Sequence, residues 1–163
     1  MKVRVVARHL ANHGYAVQVA LLEDPSQFKA DPFLNFSIVK KMNIPWILMA
    51  AFFEEEIFGF CQRSELLVDA IFGIGISSPV CGIFEKSIGA INRSQKTVVS
   101  VDIPSGLDAD TGKVCGVAVK ATRTVTLALP KRGLFEGDGP GYAGAIEVAD
   151  IGIPRELLFP FLD

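Results

Sequence analysis

The chain has 163 residues, half of them hydrophobic, with 16 Lys+Arg against 18 Asp+Glu and a formal charge of −2. With mean hydropathy +0.37 and only 21% charged residues, such a chain buries enough surface to offset its ordering entropy, which argues against disorder and predicts a single domain over residues 1–163. The near-neutral balance lacks the basic field on which phosphate-dominated affinity depends, and so argues against nucleic acid as a partner.

From the start, Val3, Val6, Ala7, Leu10 and Ala11 recur at the spacing of a core-facing helix, and Asn12-His13-Gly14 supplies its stop. His9 and His13 read as a solvent-side pair near that helix end. Residues 15–22 form an apolar run short enough for a buried strand. Pro32 opens a second helical pattern through Leu34, Ile38, Val39 and Met42, closed by Asn43. Residues 44–50 read as strand, and residues 54–62 are ambiguous. Residues 66–72 form the next strand, carrying one charge, Asp69, and Gly73-Ile74-Gly75-Ile76-Ser77-Ser78-Pro79 leaves it as a loop. Ile83, Phe84, Ser87, Ile88 and Ile91 mark a helix stripe with Asn92 as its stop. Strands over 97–101, 124–129 and 145–148 complete the series.

Helices alternating with short apolar strands predict an α/β fold: a three-layer, Rossmann-like arrangement in which a mostly parallel sheet has helices on both faces. The uncharged runs 42–53 and 70–84 fall short of the roughly 20 residues that span a bilayer, and Pro45, Gly73, Gly75 and Pro79 interrupt them. No membrane association is expected. Met1-Lys2-Val3-Arg4 lacks the apolar core of a signal peptide, and Cys61, Cys81 and Cys115 are irregularly spaced without a Cys-x-x-Cys pair. Both features predict a cytoplasmic protein with inert thiols.

In sheets of this kind ligands bind outside the carboxyl ends of the strands, at a switch in strand order, which singles out two loops. The first is Asp69-Ala70-Ile71-Phe72-Gly73-Ile74-Gly75. A carboxylate among strand residues needs a partner, either a bound cation or backbone N–H groups, and the glycines allow a ligand close to the backbone. The second is Asp102-Ile103-Pro104-Ser105-Gly106-Leu107-Asp108-Ala109-Asp110-Thr111-Gly112. Pro104 fixes the backbone, and Ser105, with no histidine to activate it, suits cation coordination by its hydroxyl and carbonyl oxygens better than nucleophilic attack. Asp102 faces the crevice of Asp69, whereas Asp108 and Asp110 read as turn formers.

Together with Thr124-Val125-Thr126-Leu127, Pro130-Lys131 before Gly133-Leu134, Tyr142-Ala143-Gly144, Asp150-Ile151-Gly152-Ile153-Pro154 and the early Ala7-Arg8-His9-Leu10 and Gly14-Tyr15, these loops resemble the YjeF N-terminal domain family of NAD(P)H-hydrate epimerases. The resemblance implies an isomerase of nicotinamide nucleotide repair that interconverts the R and S hydrates of NADH and NADPH at carbon 6 of the ring. It also implies a functional link to an ADP- or ATP-dependent dehydratase that takes the S form. Position by position, it implies a potassium ion held by Asp69 and Ser105, substrate binding by Gly73, Ile74, Gly75, Ile76, Ser77, Ser78 and Pro79, and Asp102 at the substrate as general acid/base. Before the first helix the family carries a strand and an Asn-Asn-Gly-Gly-Asp-Gly loop; here Met1-Lys2-Val3 stands at the end of that loop, so half the site is expected to be absent. The apolar stretch 46–53 predicts a homodimer. The rival reading is a non-catalytic domain of this family acting in binding and dimerisation, as in mRNA-decapping scaffolds. A Rossmann dehydrogenase ranks behind both, because no Gly-x-Gly-x-x-Gly with a downstream ribose-binding acid is present.

Overall fold

Helix α1 (Lys2–Asn12) turns Ala7 and Ala11 inward, but the third inward position belongs to a charge, Arg4, which is 7% exposed. Its guanidinium lies 4.2 Å from the centroid of the Phe28 ring and donates to the Pro32 carbonyl oxygen at 3.2 Å, so the arginine is buried as a flat, stacking group. Val5, Val6, Leu10 and Tyr15 of the predicted core stripe and its surroundings instead line a shallow apolar cleft of about 410 Å³, with His9 and His13 at its margin. The structure, a computed structural model, describes residues 2–28 and 30–158.

The chain continues through β1 (Val19–Leu21), α2 (Ala30–Lys41), β2 (Trp46–Leu48), α3 (Glu54–Gln62), β3 (Leu66–Asp69), α4 (Gly82–Ser94), β4 (Thr97–Val101), β5 (Arg123–Leu127), β6 (Ala145–Ala149) and a short α5 (Arg155–Leu158). Every ladder is parallel, as continuous apolar strands flanked by helices require. The strands fall into two sheets, β1-β2 and β3-β4-β5-β6. Within the larger sheet they run in chain order, so it contains no reversal; β3 stands at its edge, where the series of four passes to the pair. Ala20, Ile47 and Met49 share one apolar cluster with Ile57, Leu67, Ile88 and Val98, which joins the two sheets through α3 and α4.

Residues 54–62, ambiguous in sequence, are helical. Glu54, Glu55 and Glu56 favour the positive N-terminal end, the Glu56 carboxylate accepts from the Phe53 N–H at 2.8 Å, and Ile57 and Cys61 are buried one turn apart. The expected strand 15–22 shortens to its last third because Tyr15, Ala16 and Gln18 are exposed. Asn92 does not stop α4; the helix runs on to Ser94 and ends at Gln95 with φ 54°. The Asn92 side chain has another task, donating to the Ala118 carbonyl and accepting from the Lys120 N–H.

Beyond β4 no described α-helix covers the crossovers. Residues 102–122 form a loop closed by the Leu107–Val114 bridge, and 3₁₀ turns follow β5. Ile103, Leu107, Ala109, Ala118, Leu134 and Ala143 give these loops their own small core, which holds the carboxyl ends of β4 and β5 in place.

Candidate functional site

Asp69 is the last residue of β3, and its carboxylate is 2% exposed. Each oxygen accepts from two neutral donors. Oδ1 accepts from the Ser105 hydroxyl at 2.6 Å and the Ile71 N–H at 3.3 Å, while Oδ2 accepts from the Ser100 hydroxyl at 2.7 Å and the Ser105 N–H at 2.8 Å. Burial pushes the Asp69 carboxyl above the usual carboxylate range, and the bonds from Ser105, Ser100 and Ile71 pull against that rise. Ser105, fully buried, also accepts from the Phe72 N–H at 2.9 Å and takes the Val119 N–H on its carbonyl oxygen at 2.9 Å. One serine therefore fastens the start of the 73–79 loop to the turn after β4.

That turn is built by close backbone approach. Gly106 sits at φ 94°, and a Cβ there would lie 2.0 Å from the Val117 carbonyl oxygen, so only glycine fits. Asp108 shapes the following turn as expected: its Oδ1 accepts from the Asp110 N–H, the Thr111 N–H and the Thr111 hydroxyl, and these bonds hold its carboxyl below the usual range.

Asp102 stands just past β4 at φ 80°, a left-handed backbone that costs a non-glycine residue free energy and persists only where surroundings enforce it. Here its N–H bonds the Val125 carbonyl at 2.7 Å and its Oδ1 accepts from the Leu127 N–H at 3.2 Å. The ammonium of Lys131 lies 2.5 Å from the same Oδ1, with the Lys131 and Asp102 side chains 18% and 6% exposed. Lys131 also donates to the Leu127 carbonyl at 2.7 Å.

The 73–79 loop and the start of α4 enclose a cleft of about 400 Å³ lined by Phe72, Gly73, Gly75, Ile76, Ser77, Ser78, Pro79, Val80, Cys81 and Phe84. Cys81, the N-cap of α4, lines this cleft and makes no side-chain bond to the first turn of the 13-residue helix. Asp69, Ser105 and the root of the loop are thus brought together. Asp102 sits at the end of the neighbouring strand, its carboxylate engaged toward β5, and does not line the 73–79 cleft. Two participants escaped the sequence reading. Ser100 is a polar residue at an inward position of β4, and Lys131 follows the end of β5, the third strand to which the carboxyl-end rule applied.

The family model described as YjeF-related protein N-terminus matches residues 4–133. The bifunctional NAD(P)H-hydrate repair enzyme Nnr of Moorella thermoacetica is 42% identical over 161 residues, covering 94% of this chain and 29% of that protein. The NAD(P)H-hydrate epimerase of Lentilactobacillus buchneri is 40% identical over 155 residues, covering 95% of this chain and 68% of that protein. The chain thus spans under a third of the bifunctional relative and about two thirds of the single-function one. The crystal structure of yeast YNL200c superposes with a TM-score of 0.79 over 98% of this chain and 65% of that one; at 23% identity this likeness shows the fold.

Proposed function

The chain belongs to the YjeF-related N-terminal family, and from that premise we propose that it is a NAD(P)H-hydrate epimerase domain, interconverting the R and S hydrates of NADH and NADPH. The observation that carries the reading is Asp102: a buried, ion-paired carboxylate held in left-handed backbone at the carboxyl end of a parallel strand, where such sheets bind ligands. The hydrate bears its hydroxyl on the carbon beside the ring nitrogen. Asp102 acts as general acid/base on the proton of the departing hydroxyl as the C–O bond breaks and the nitrogen electron pair forms C=N. Water then adds to the opposite face and releases a proton to solvent, which balances the one given to the departing hydroxyl, so nothing is consumed. The 73–79 cleft, which reaches the start of α4 at Cys81, suits the dinucleotide phosphates.

Potassium belongs to the same proposal. Asp69 and Ser105 present hard oxygens, and the buried Asp69 charge meets only neutral donors, which suits a cation of this kind. Asp69 and Ser105 would hold the ion, which supplies positive charge that organises the site. The likeness to a bifunctional repair enzyme supports a dehydratase as the consumer of the S form. The apolar cleft on α1 lined by Val5, Val6, Leu10 and Tyr15, together with Trp46 at 40% exposed, supports a homodimer. The free thiols Cys61, Cys81 and Cys115 support the cytoplasm, and no described helix is long and apolar enough to cross a membrane.

The test follows conversion of the R hydrate coupled to a dehydratase specific for the S form. Wild-type protein is expected to accelerate conversion over the spontaneous rate, and Asp102→Asn to lose about 10²–10⁴-fold while staying folded. A folded wild-type protein that gives no acceleration overturns the reading in favour of a binding or dimerisation module.

A further inference from the structure

The Lys131–Asp102 contact differs from a surface ion pair in that the backbone on both sides is bent to make it. Asp102 occupies left-handed space, and so does Ala128, at φ 65°, just beyond β5; these two non-glycine residues end adjacent strands. The Ala128 N–H is tied to the Ala149 carbonyl at 2.9 Å, and Pro130 fixes the next bend. Directly after Lys131, Gly133 donates to the Ala109 carbonyl at 2.7 Å and Leu134 is fully buried in the loop core. The lysine backbone is therefore anchored on both sides. Its ammonium has three donors; the Leu127 carbonyl takes one and Asp102 another, and the Leu127 N–H reaches the same carboxylate oxygen. Strain of this kind, enforced from two strands, gathers at functional sites. An exposed lysine would surrender its geometry to solvent and side-chain entropy, whereas this one is mostly enclosed.

We propose that Lys131 is the positioning residue for Asp102: its ammonium, held between the Leu127 carbonyl and the carboxylate, fixes that carboxylate in the orientation in which it serves the reacting hydroxyl. The inference rests on the epimerase reading of the site. Removing the lysine takes away the charged partner that sets this orientation and leaves the weaker Leu127 N–H bond in place, which lowers the rate of the chemical step and leaves substrate binding nearly unchanged.

The experiment measures kcat and KM of the full chain in the coupled assay for wild type, Lys131→Met, Lys131→Arg, Asp102→Asn and the Lys131→Met/Asp102→Asn double variant. Lys131→Met is expected to lower kcat about 10–100-fold with KM within about twofold, and Lys131→Arg, which keeps the charge, to retain at least about a tenth of wild-type kcat. Because the lysine acts through Asp102, the double variant should be no slower than Asp102→Asn alone. Wild-type kcat in Lys131→Met, or a loss that multiplies with that of Asp102→Asn, overturns the proposal. If Lys131→Met does not fold, a folded Lys131→Arg as slow as Asp102→Asn overturns it equally. A wild-type protein without acceleration removes the epimerase reading and this inference together, whereas an active wild type with an undiminished Lys131→Met removes the lysine's role alone.

Discussion

Replacing Ser105 by alanine cuts a side chain that joins both loops. The hydroxyl is fully buried, donates to Asp69 Oδ1 at 2.6 Å and accepts from the Phe72 N–H at 2.9 Å. Losing a hydrogen bond to a charged group costs about 1.5–3 kcal/mol, and leaving a buried N–H without a partner costs about 1–3 kcal/mol. Three donors still serve Asp69, namely Ser100, the Ser105 N–H and the Ile71 N–H, so the carboxylate is weakened and not stripped. A net loss of about 3 kcal/mol follows, or roughly 6–12 °C in Tm for a domain of this size. The pH dependence sharpens the test. Burial raises the Asp69 carboxyl in the folded state, so stability from this group is fully present below the unfolded value and is lost as pH rises through the folded one. The Ser105 hydroxyl pulls that folded value down; without it the value rises further and more stability is lost on the alkaline side. Urea unfolding from about pH 4 to about pH 8, with the m-value unchanged, should show a deficit that grows with pH. A deficit below about 1 kcal/mol at neutral pH, or one that shrinks as pH rises, would refute the bridging role of Ser105.

Gly75 lines the 73–79 cleft and has nothing within 4 Å of a Cβ, so Gly75→Ala should leave stability within about 0.5 kcal/mol. The same change should raise KM for the hydrate in the coupled assay; an unchanged KM would show that the substrate does not meet this loop. Potassium at Asp69 and Ser105 should raise Tm in potassium chloride above that in tetramethylammonium chloride at equal ionic strength. For salt at ten times Kd the stabilisation is about 1.4 kcal/mol, and identical melting curves in the two salts would remove the ion from this site.

How far the sequence reveals the fold depends on where each partner lies along the chain. Strand β4 was expected over 97–101 and occupies those residues, because a β-branched run between turn signals is decided locally. Helix α2 likewise keeps its expected end near Asn43, which takes φ 54°. Arg4 ran against the pattern because its burial depends on a ring 24 residues later, and Asn92, a stop signal by local chemistry, continues a helix because Ala118 and Lys120 offer its amide better partners.

The site shows the same division more sharply. Asp69 was legible as a charge among strand residues that needs a partner and Asp102 only as a residue facing the same crevice, and the two compensations are physically opposite. Asp69 is answered by hydroxyls and amides, with Ser100 and Ser105 arriving from 31 and 36 residues away, and burial still pushes its carboxyl up against them. Asp102 is answered by an ammonium that reaches it only because Ala128 bends the chain through left-handed space. No spacing rule encodes that bend, since alanine gives no signal for positive φ and Pro130-Lys131 reads locally as an exposed turn. What the topology adds is proximity: parallel strands in chain order set the ends of β3, β4 and β5 side by side, so a residue just past any of them can serve the carboxylate of its neighbour. The neutral donors around Asp69 hold it from two neighbouring segments, whereas the charged partner of Asp102 comes from the strand end beside it.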